Sequence, residues 1–226
     1  MMMMQRPAAQ YVFITGGTGY LGRALIPELL RRRHVIRALV RLGSEHKIAD
    51  GCEAVIGDAL DESTFDQLVR PADTFIQLVG VPSPSPAKAE QFRAVDLRSI
   101  RASVPAALSA NVRHFIYVSV AHPAPLMKAY IEVRKEVESI IVRSGLKATI
   151  LRPWYVLGPG HRWPLFLKPI YWLLEQIPAT REGARRLGLV TLQQMVGALV
   201  IAVERPTEGI RRIEVPEIRR QGKLLE

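Results

Sequence analysis

Short apolar runs alternate along the chain with segments whose apolar residues recur every three or four positions, the pattern of strands alternating with amphipathic helices. Tyr11-Val-Phe-Ile14 is a first strand. Behind it, Leu21, Ala24, Leu25, Leu29 and Leu30 share one face of a helix that should end near residues 31–33. Residues 35–40 form a second strand, 54–56 a third, 74–79 a fourth, 114–119 a fifth and 147–151 a sixth, which Arg152-Pro153 stops. Between them, Asp61 is placed to cap a helix over 62–69. Residues 87–110 read as a helix that Pro105 kinks or interrupts, and 127–144 as another. Val81-Pro-Ser-Pro-Ser-Pro86 is a loop, because each proline removes a donor and restricts its predecessor. Further on, Thr191 and Gln194 have capping-box spacing and open a helix to about residue 203, and Ile213-Glu-Val215 is a last short strand. The alternation predicts one α/β domain on a doubly wound, mostly parallel sheet. Residues 11–153 form its core, and 154–226 a smaller, less regular portion.

Composition narrows the class. With 226 residues, 48% of them apolar and 23% charged, the chain can bury a substantial core without staples. A single cysteine, Cys52, excludes an intramolecular disulfide framework and a cysteine-cluster zinc site. No run approaches the roughly 18 apolar residues of a spanning helix, and MMMMQRPAAQ lacks the apolar stretch of a signal peptide. These features predict a cytoplasmic protein. The net charge of +10 comes mostly from arginine, 24 Arg against 7 Lys. These cations are scattered without a dense arm or a basic-aromatic repeat, so nucleic acid is not the expected partner. The five histidines lack metal-ligand spacing, and no metal site is expected.

Gly16-x-x-Gly19-x-x-Gly22 follows the first strand and opens the first helix. Gly16 permits the tight turn, Gly19 lets the backbone approach a pyrophosphate, and Gly22 allows close packing of the helix. The amides and positive end of that helix then face the phosphates. Its spacing differs by one residue from the commonest dinucleotide motif, but the strand–turn–helix context is the one that motif requires. The second strand ends in Ala38-Leu-Val-Arg41, without the carboxylate that would bind a ribose 2′-hydroxyl. Arg41 can pair with a 2′-phosphate, which favours NADP(H) over NAD(H) as cofactor.

Thr15-Gly-Gly-Thr-Gly-Tyr-Leu-Gly22, Val35-Ile-Arg-Ala-Leu-Val-Arg41, Ile56-Gly-Asp58, Phe115-Ile-Tyr-Val-Ser119 and Leu151-Arg-Pro153 with Gly158-Pro-Gly160 resemble the extended and atypical short-chain dehydrogenase/reductases. That group includes NAD-dependent epimerase/dehydratases, small NAD(P)H-binding reductases and the nucleotide-binding accessory subunit of respiratory complex I. The resemblance implies a Rossmann-type sheet, with Gly16, Thr18, Gly19, Tyr20, Leu21 and Gly22 in the phosphate turn. It also implies Asp58 near the adenine and Leu78, Val79 and Gly80 along the cofactor. The segment after Arg152-Pro153, Pro153 included, is expected beside the nicotinamide.

In that superfamily a Tyr-x-x-x-Lys pair on one helix transfers a proton, with help from a Ser or Thr after the fifth strand. The spacing brings both side chains to one helix face, and the cation lowers the phenol's pKa. Here the pair reads Tyr130-Ile-Glu-Val-Arg134, with Arg134 in the lysine's place and Ser119 as the hydroxyl candidate. An arginine can stabilise a phenolate but gives up no proton. Asp96 stands where the family often has Asn, and no role is assigned to it. Three readings stay open. One is a reductase of a small, apolar carbonyl compound using Tyr130, Arg134 and Ser119. Another is a catalytically lapsed redox sensor or assembly factor. The third is hydride transfer to a flavin or quinone, which needs no tyrosine.

The 66 residues after Gly160 lead to the expectation of a substrate other than a nucleotide sugar. Among them, Trp163, Leu165, Phe166, Tyr171, Trp172 and Leu174 form an aromatic and aliphatic segment carrying Lys168, with Arg181, Arg185 and Arg186 behind it. Such a segment suits a small lipid-like substrate, a hydrophobic protein partner or peripheral contact with an anionic membrane, and equally suits the core.

Overall fold

The computed structural model describes residues 8–82, 85–123, 127–159 and 187–222. Its main sheet has seven strands, all pairing in parallel: β1 (Tyr11–Thr15), β2 (Val35–Val40), β3 (Glu53–Ile56), β4 (Thr74–Gln77), β5 (His114–Val118), β6 (Ala148–Arg152) and β9 (Ile210–Glu214). They lie in the order β3-β2-β1-β4-β5-β6-β9, the doubly wound arrangement. The order reverses between β1 and β4, and a crevice opens there beyond the carboxyl ends of the strands. Two short strands, β7 (Tyr155–Leu157) and β8 (Leu189–Thr191), pair as a separate small sheet.

Because successive side chains on a strand point to opposite faces, each strand feeds two cores. Phe13, Phe75 and Phe115 project to one face, where Phe75 lies 5.1 Å from Phe13 and 5.2 Å from Phe115 between ring centroids. Helices α3 (Arg98–Ser109) and α4 (Lys128–Arg143) cover this row of rings. Val12, Ile14, Ile76 and Ile116 project to the other face, under α1 (Tyr20–Arg31), α5 (Leu192–Glu204) and α6 (Val215–Gly222). Burial on both faces explains why these strands read as unbroken apolar runs.

The capping box holds: Thr191 Oγ1 accepts from the Gln194 amide at 3.1 Å, and Gln194 Oε1 accepts from the Thr191 amide at 3.1 Å. Asp61 does act as a cap, accepting from the Ser63 amide, but residues 62–69 form two 3-10 turns rather than a helix. The last strand begins three residues earlier than the expected Ile213-Glu-Val215: Ile210, Arg211 and Arg212 already pair with β6, and Val215 opens α6 instead. Pro105 lies inside α3 without ending it. The irregularity falls upstream, where α2 (Ala89–Gln91) passes through a π-helical stretch, Phe92–Leu97, into α3. Extra residues in a helical turn re-aim the side chains they carry. Here they carry Asp96.

Candidate functional site

A cleft of about 620 Å³ lies at the β1/β4 switch. Its floor is the turn after β1. Gly16 has φ +76°, and a Cβ there would come within 2.8 Å of the Leu78 carbonyl carbon, so only glycine fits both the turn and the neighbouring strand end. Gly19 caps α1 with no side-chain hydrogen bond, so no side chain competes for the first-turn amides. Those amides and the helix dipole suit a pyrophosphate. A Cβ on Gly22 would strike the Gly17 carbonyl at 2.4 Å, so this glycine packs the helix against its own loop. Gly16, Thr18, Gly19, Tyr20 and Leu21 line the cleft, as do Asp58, Leu78, Val79 and Gly80. Pro153 is not among its lining residues; it is buried, and its carbonyl accepts from the Ala121 amide at 2.9 Å.

At the β2 end the cleft is walled by Arg41, Ser44 and Lys47. No periodicity in the sequence marks Ser44 and Lys47, which sit at a 3-10 turn after the strand (Glu45–Lys47). The carboxylate in this half of the cleft is Asp58, beyond β3, with Oδ1 accepting from the Leu60 amide at 2.9 Å. Arg41, Ser44 and Lys47 give this end of the cleft two cations and a hydroxyl, while Glu45, on the same 3-10 turn, is not among the lining residues. The cradle as a whole fits a nicotinamide dinucleotide, held by the Gly16–Gly22 turn and flanked by residues 78–80.

Behind Gly80 lies a second cluster. Arg134 is buried, and its Nη2 lies 2.5 Å from Asp96 Oδ1 in an ion pair withdrawn from solvent. Its Nη1 donates to the Tyr117 hydroxyl at 2.5 Å and to the Val118 carbonyl at 2.9 Å. The guanidinium carbon sits 4.9 Å from the Tyr130 ring centroid and 5.4 Å from that of Tyr117. Asp96 Oδ2 in turn accepts from the Val81 amide at 3.2 Å. The structure therefore brings Tyr130 and Arg134 together as the helical spacing requires. It also adds two residues the sequence left without a role, Asp96 and Tyr117. Tyr130 is half-buried, with its ring 4.8 Å from that of Phe92. Burial pushes its phenol up from the ordinary value, Asp96 pushes in the same direction, and Arg134 opposes both.

Ser119 belongs to a different network. Its hydroxyl donates to Glu138 Oε1 at 2.6 Å, and Arg152 pairs with the same buried carboxylate, donating through Nε at 3.0 Å. Arg152 also reaches Glu214 at 2.9 Å, so the cluster ties α4 to β6 and β9. The Ser119 hydroxyl and the Tyr130–Arg134 pair thus have separate partners. Among the described residues, Tyr130, Arg134 and Ser119 do not line the 620 Å³ cleft.

Cys52 is half-buried and its thiol is pushed up to about 11, mainly by burial, which disfavours the thiolate a nucleophile needs. No group of three or more His, Cys, Asp or Glu side chains among the described residues is placed to hold a metal ion. No helix among them is long and apolar enough to cross a membrane. The aromatic segment 163–174 lies outside the described residues.

Comparison with known proteins agrees with this geometry. The chain is 28% identical over 221 residues to a ceramide reductase of Caulobacter vibrioides (strain NA1000 / CB15N), covering 97% of this chain and 68% of that protein. It is 24% identical to the 4-hydroxy-2-methyl-3-oxo-4-farnesyl-3,4-dihydroquinoline-1-oxide ketoreductase of Stigmatella aurantiaca, covering 65% of this chain and 50% of that one. It is 25% identical to the photosystem II assembly factor Ycf39 of Trieres chinensis, covering 62% and 44%. Among solved structures, the Bordetella bronchiseptica enzyme WbmH in complex with NAD+ superposes with a TM-score of 0.69 at 20% identity, covering 95% of this chain and 79% of that one. A short-chain dehydrogenase/reductase superfamily protein from Agrobacterium tumefaciens with bound NAD superposes with a TM-score of 0.64 at 18% identity, covering 90% of this chain and 77% of that one, and both structures show the fold. The profile of the NAD(P)H-binding family matches residues 16–160, from the first glycine of the cofactor turn to the Gly158-Pro-Gly160 motif, and the chain belongs to that family.

Proposed function

We propose that the protein is an NADP(H)-dependent reductase of an apolar, lipid-like carbonyl compound. The observation that carries the cofactor preference is the β2 end of the cleft, where Arg41 directly follows the strand in place of a carboxylate and lines the wall with Ser44 and Lys47. An acid there would bind the 2′-hydroxyl of NAD and repel a 2′-phosphate; a cation does the reverse. The two relatives named as reductases act, by their names, on a ceramide and on a farnesyl-bearing ketone. The segment 163–174, with its aromatic and aliphatic residues, supplies apolar chain of the kind such a substrate needs.

When bound, the dihydronicotinamide supplies the hydride, and the chain must supply the proton that turns a carbonyl into an alcohol. Tyr130 is the donor in this reading, kept protonated by burial, and Arg134 fixes its ring by stacking. Ser119, bound to Glu138, holds the end of β5 in place. Isothermal titration with NADPH and NADH tests the cofactor, and tighter NADPH binding is expected. Loss of nicotinamide absorbance with long-chain ketones, sphingoid or prenylated, tests the reaction.

A second reading is favoured by one arrangement. Arg134 is held by Asp96 and Tyr117, and the three catalytic candidates stand outside the cleft lining among the described residues. That suits a cofactor-binding protein acting without turnover, as a sensor or assembly factor. NADPH binding with no oxidation by any carbonyl, in wild type or Arg134→Lys, would favour it.

A further inference from the structure

Neither Asp96 nor Arg134 lines the cleft, yet their buried ion pair joins four segments near the candidate proton donor. Asp96 sits on the π-helical stretch, Arg134 on α4, Tyr117 on β5, and the Val81 amide just past β4. Asp96 is 1% exposed and Arg134 6%. Taking two charges out of water costs several kcal/mol per ion, and a pair with hydrogen bonds to spare only offsets that cost. Stability alone is therefore a weak reason for the pair. Its position gives a stronger one. Among the described residues, the charged groups acting on Tyr130 are Arg134, from its own helix, and Asp96, from the π-helical stretch. Tyr117 of β5 shares the guanidinium. Arg134 favours the phenolate and Asp96 opposes it. An unpaired cation at this site would draw a proton off the phenol.

We propose that Asp96 is a positioning residue. By pairing with Arg134 it holds the guanidinium against Tyr117 and Val118 and cancels its charge beside Tyr130, so that the phenol stays a proton donor. The site is thereby set for reduction, in which a carbonyl oxygen takes up a proton, rather than for alcohol oxidation, which needs a phenolate base. The π-helical turn is the local device that brings the carboxylate into register with Arg134. The chemical meaning of this inference rests on the reductase reading, but its test needs neither cofactor nor substrate.

The test is the alkaline titration of tyrosinate absorbance in the unliganded protein, wild type against Asp96→Asn. The amide keeps the shape and the acceptor for the Val81 amide but removes the charge. One tyrosine transition should move to lower pH by about one unit or more, the effect of an uncompensated neighbouring cation. It should vanish in Asp96→Asn/Tyr130→Phe. Superimposable curves with near-ultraviolet circular dichroism retained would overturn the proposal, and so would a shifted transition that survives loss of the Tyr130 hydroxyl. A purely structural Asp96 would lower the melting temperature and leave the tyrosine curve in place. If the variant does not fold, the carboxyl carbon resonance of Asp96 in the wild-type protein decides. A carboxylate at neutral pH is expected, and a neutral acid there could cancel no charge and would overturn the proposal. A failed titration leaves the reductase reading standing. Absence of NADPH oxidation removes that reading without touching the titration.

Discussion

Gly80 and Arg134 are in contact across the wall that separates the cofactor cleft from the tyrosine cluster: a Cβ at position 80 would lie 2.7 Å from Arg134 Nη2 and 3.0 Å from Asp96 Oδ1. One face of this backbone lines the cleft and the other presses on the ion pair. Gly80→Ala should therefore act as overpacking, costing about 1–3 kcal/mol in urea unfolding, because the buried pair has little room to retreat. It should also weaken dinucleotide binding, since the displaced backbone is part of the cleft. Normal stability with unchanged NADPH affinity would show that the wall is softer than its packing indicates.

At the other end of the cleft, Arg41→Ala should lower NADPH affinity by roughly 10- to 100-fold, the range for losing a charged hydrogen bond of about 1.5–3 kcal/mol, and spare NADH. Lys47→Ala should act in the same direction and less strongly, as a point charge without the planar fork. Calorimetric titration with both cofactors checks this. An equal loss for NADPH and NADH would remove the 2′-phosphate assignment.

Tyr130→Phe keeps the ring under the guanidinium and removes only the hydroxyl. Carbonyl reduction should fall by roughly 100-fold or more, on the order of a lost general acid, while NADPH binding persists. Because burial raises the phenol's pKa, wild-type reduction should hold up to about pH 10 and fall only as the phenol ionises above its ordinary value. A rate that drops through neutral pH would point to a different proton donor.

His114 makes the fold sensitive to acid. It is fully buried in β5, with Nε2 2.9 Å from Thr149 Oγ1, and burial lowers its pKa to about 4. The folded imidazole is neutral while the unfolded chain takes up a proton near pH 6.5, so the unfolded state binds more protons in between. The contribution is complete above about pH 6.5 and is lost as pH falls toward 4. Urea unfolding should show roughly 2 kcal/mol less stability from this residue at about pH 5 than at about pH 7. His114→Asn should lose most of that slope, whatever it costs at neutral pH.

The sequence by itself determined the strands, the glycine turn and the α/β class, because each depends on neighbours along the chain. Val12, Phe13 and Ile14 read as a strand wherever they lie, and Gly16-x-x-Gly19-x-x-Gly22 marks its ligand through backbone shape alone. Thr191 and Gln194 likewise cap their own helix. The spacing of Tyr130 and Arg134 was legible for the same reason, since four residues of helix fix their contact. Tertiary structure decided the rest. Residues 62–69 became 3-10 turns although their sequence is compatible with a helix, and the π-helical stretch at Phe92–Leu97 left no mark in the apolar pattern. Ser44 and Lys47 joined the cleft only because β2 ends beside β1. Above all, the pairing of Asp96 with Arg134, and of Ser119 with Glu138, joins residues from different elements. Whether a buried charge meets its partner depends on how the helices dock on the sheet, and no local spacing records that.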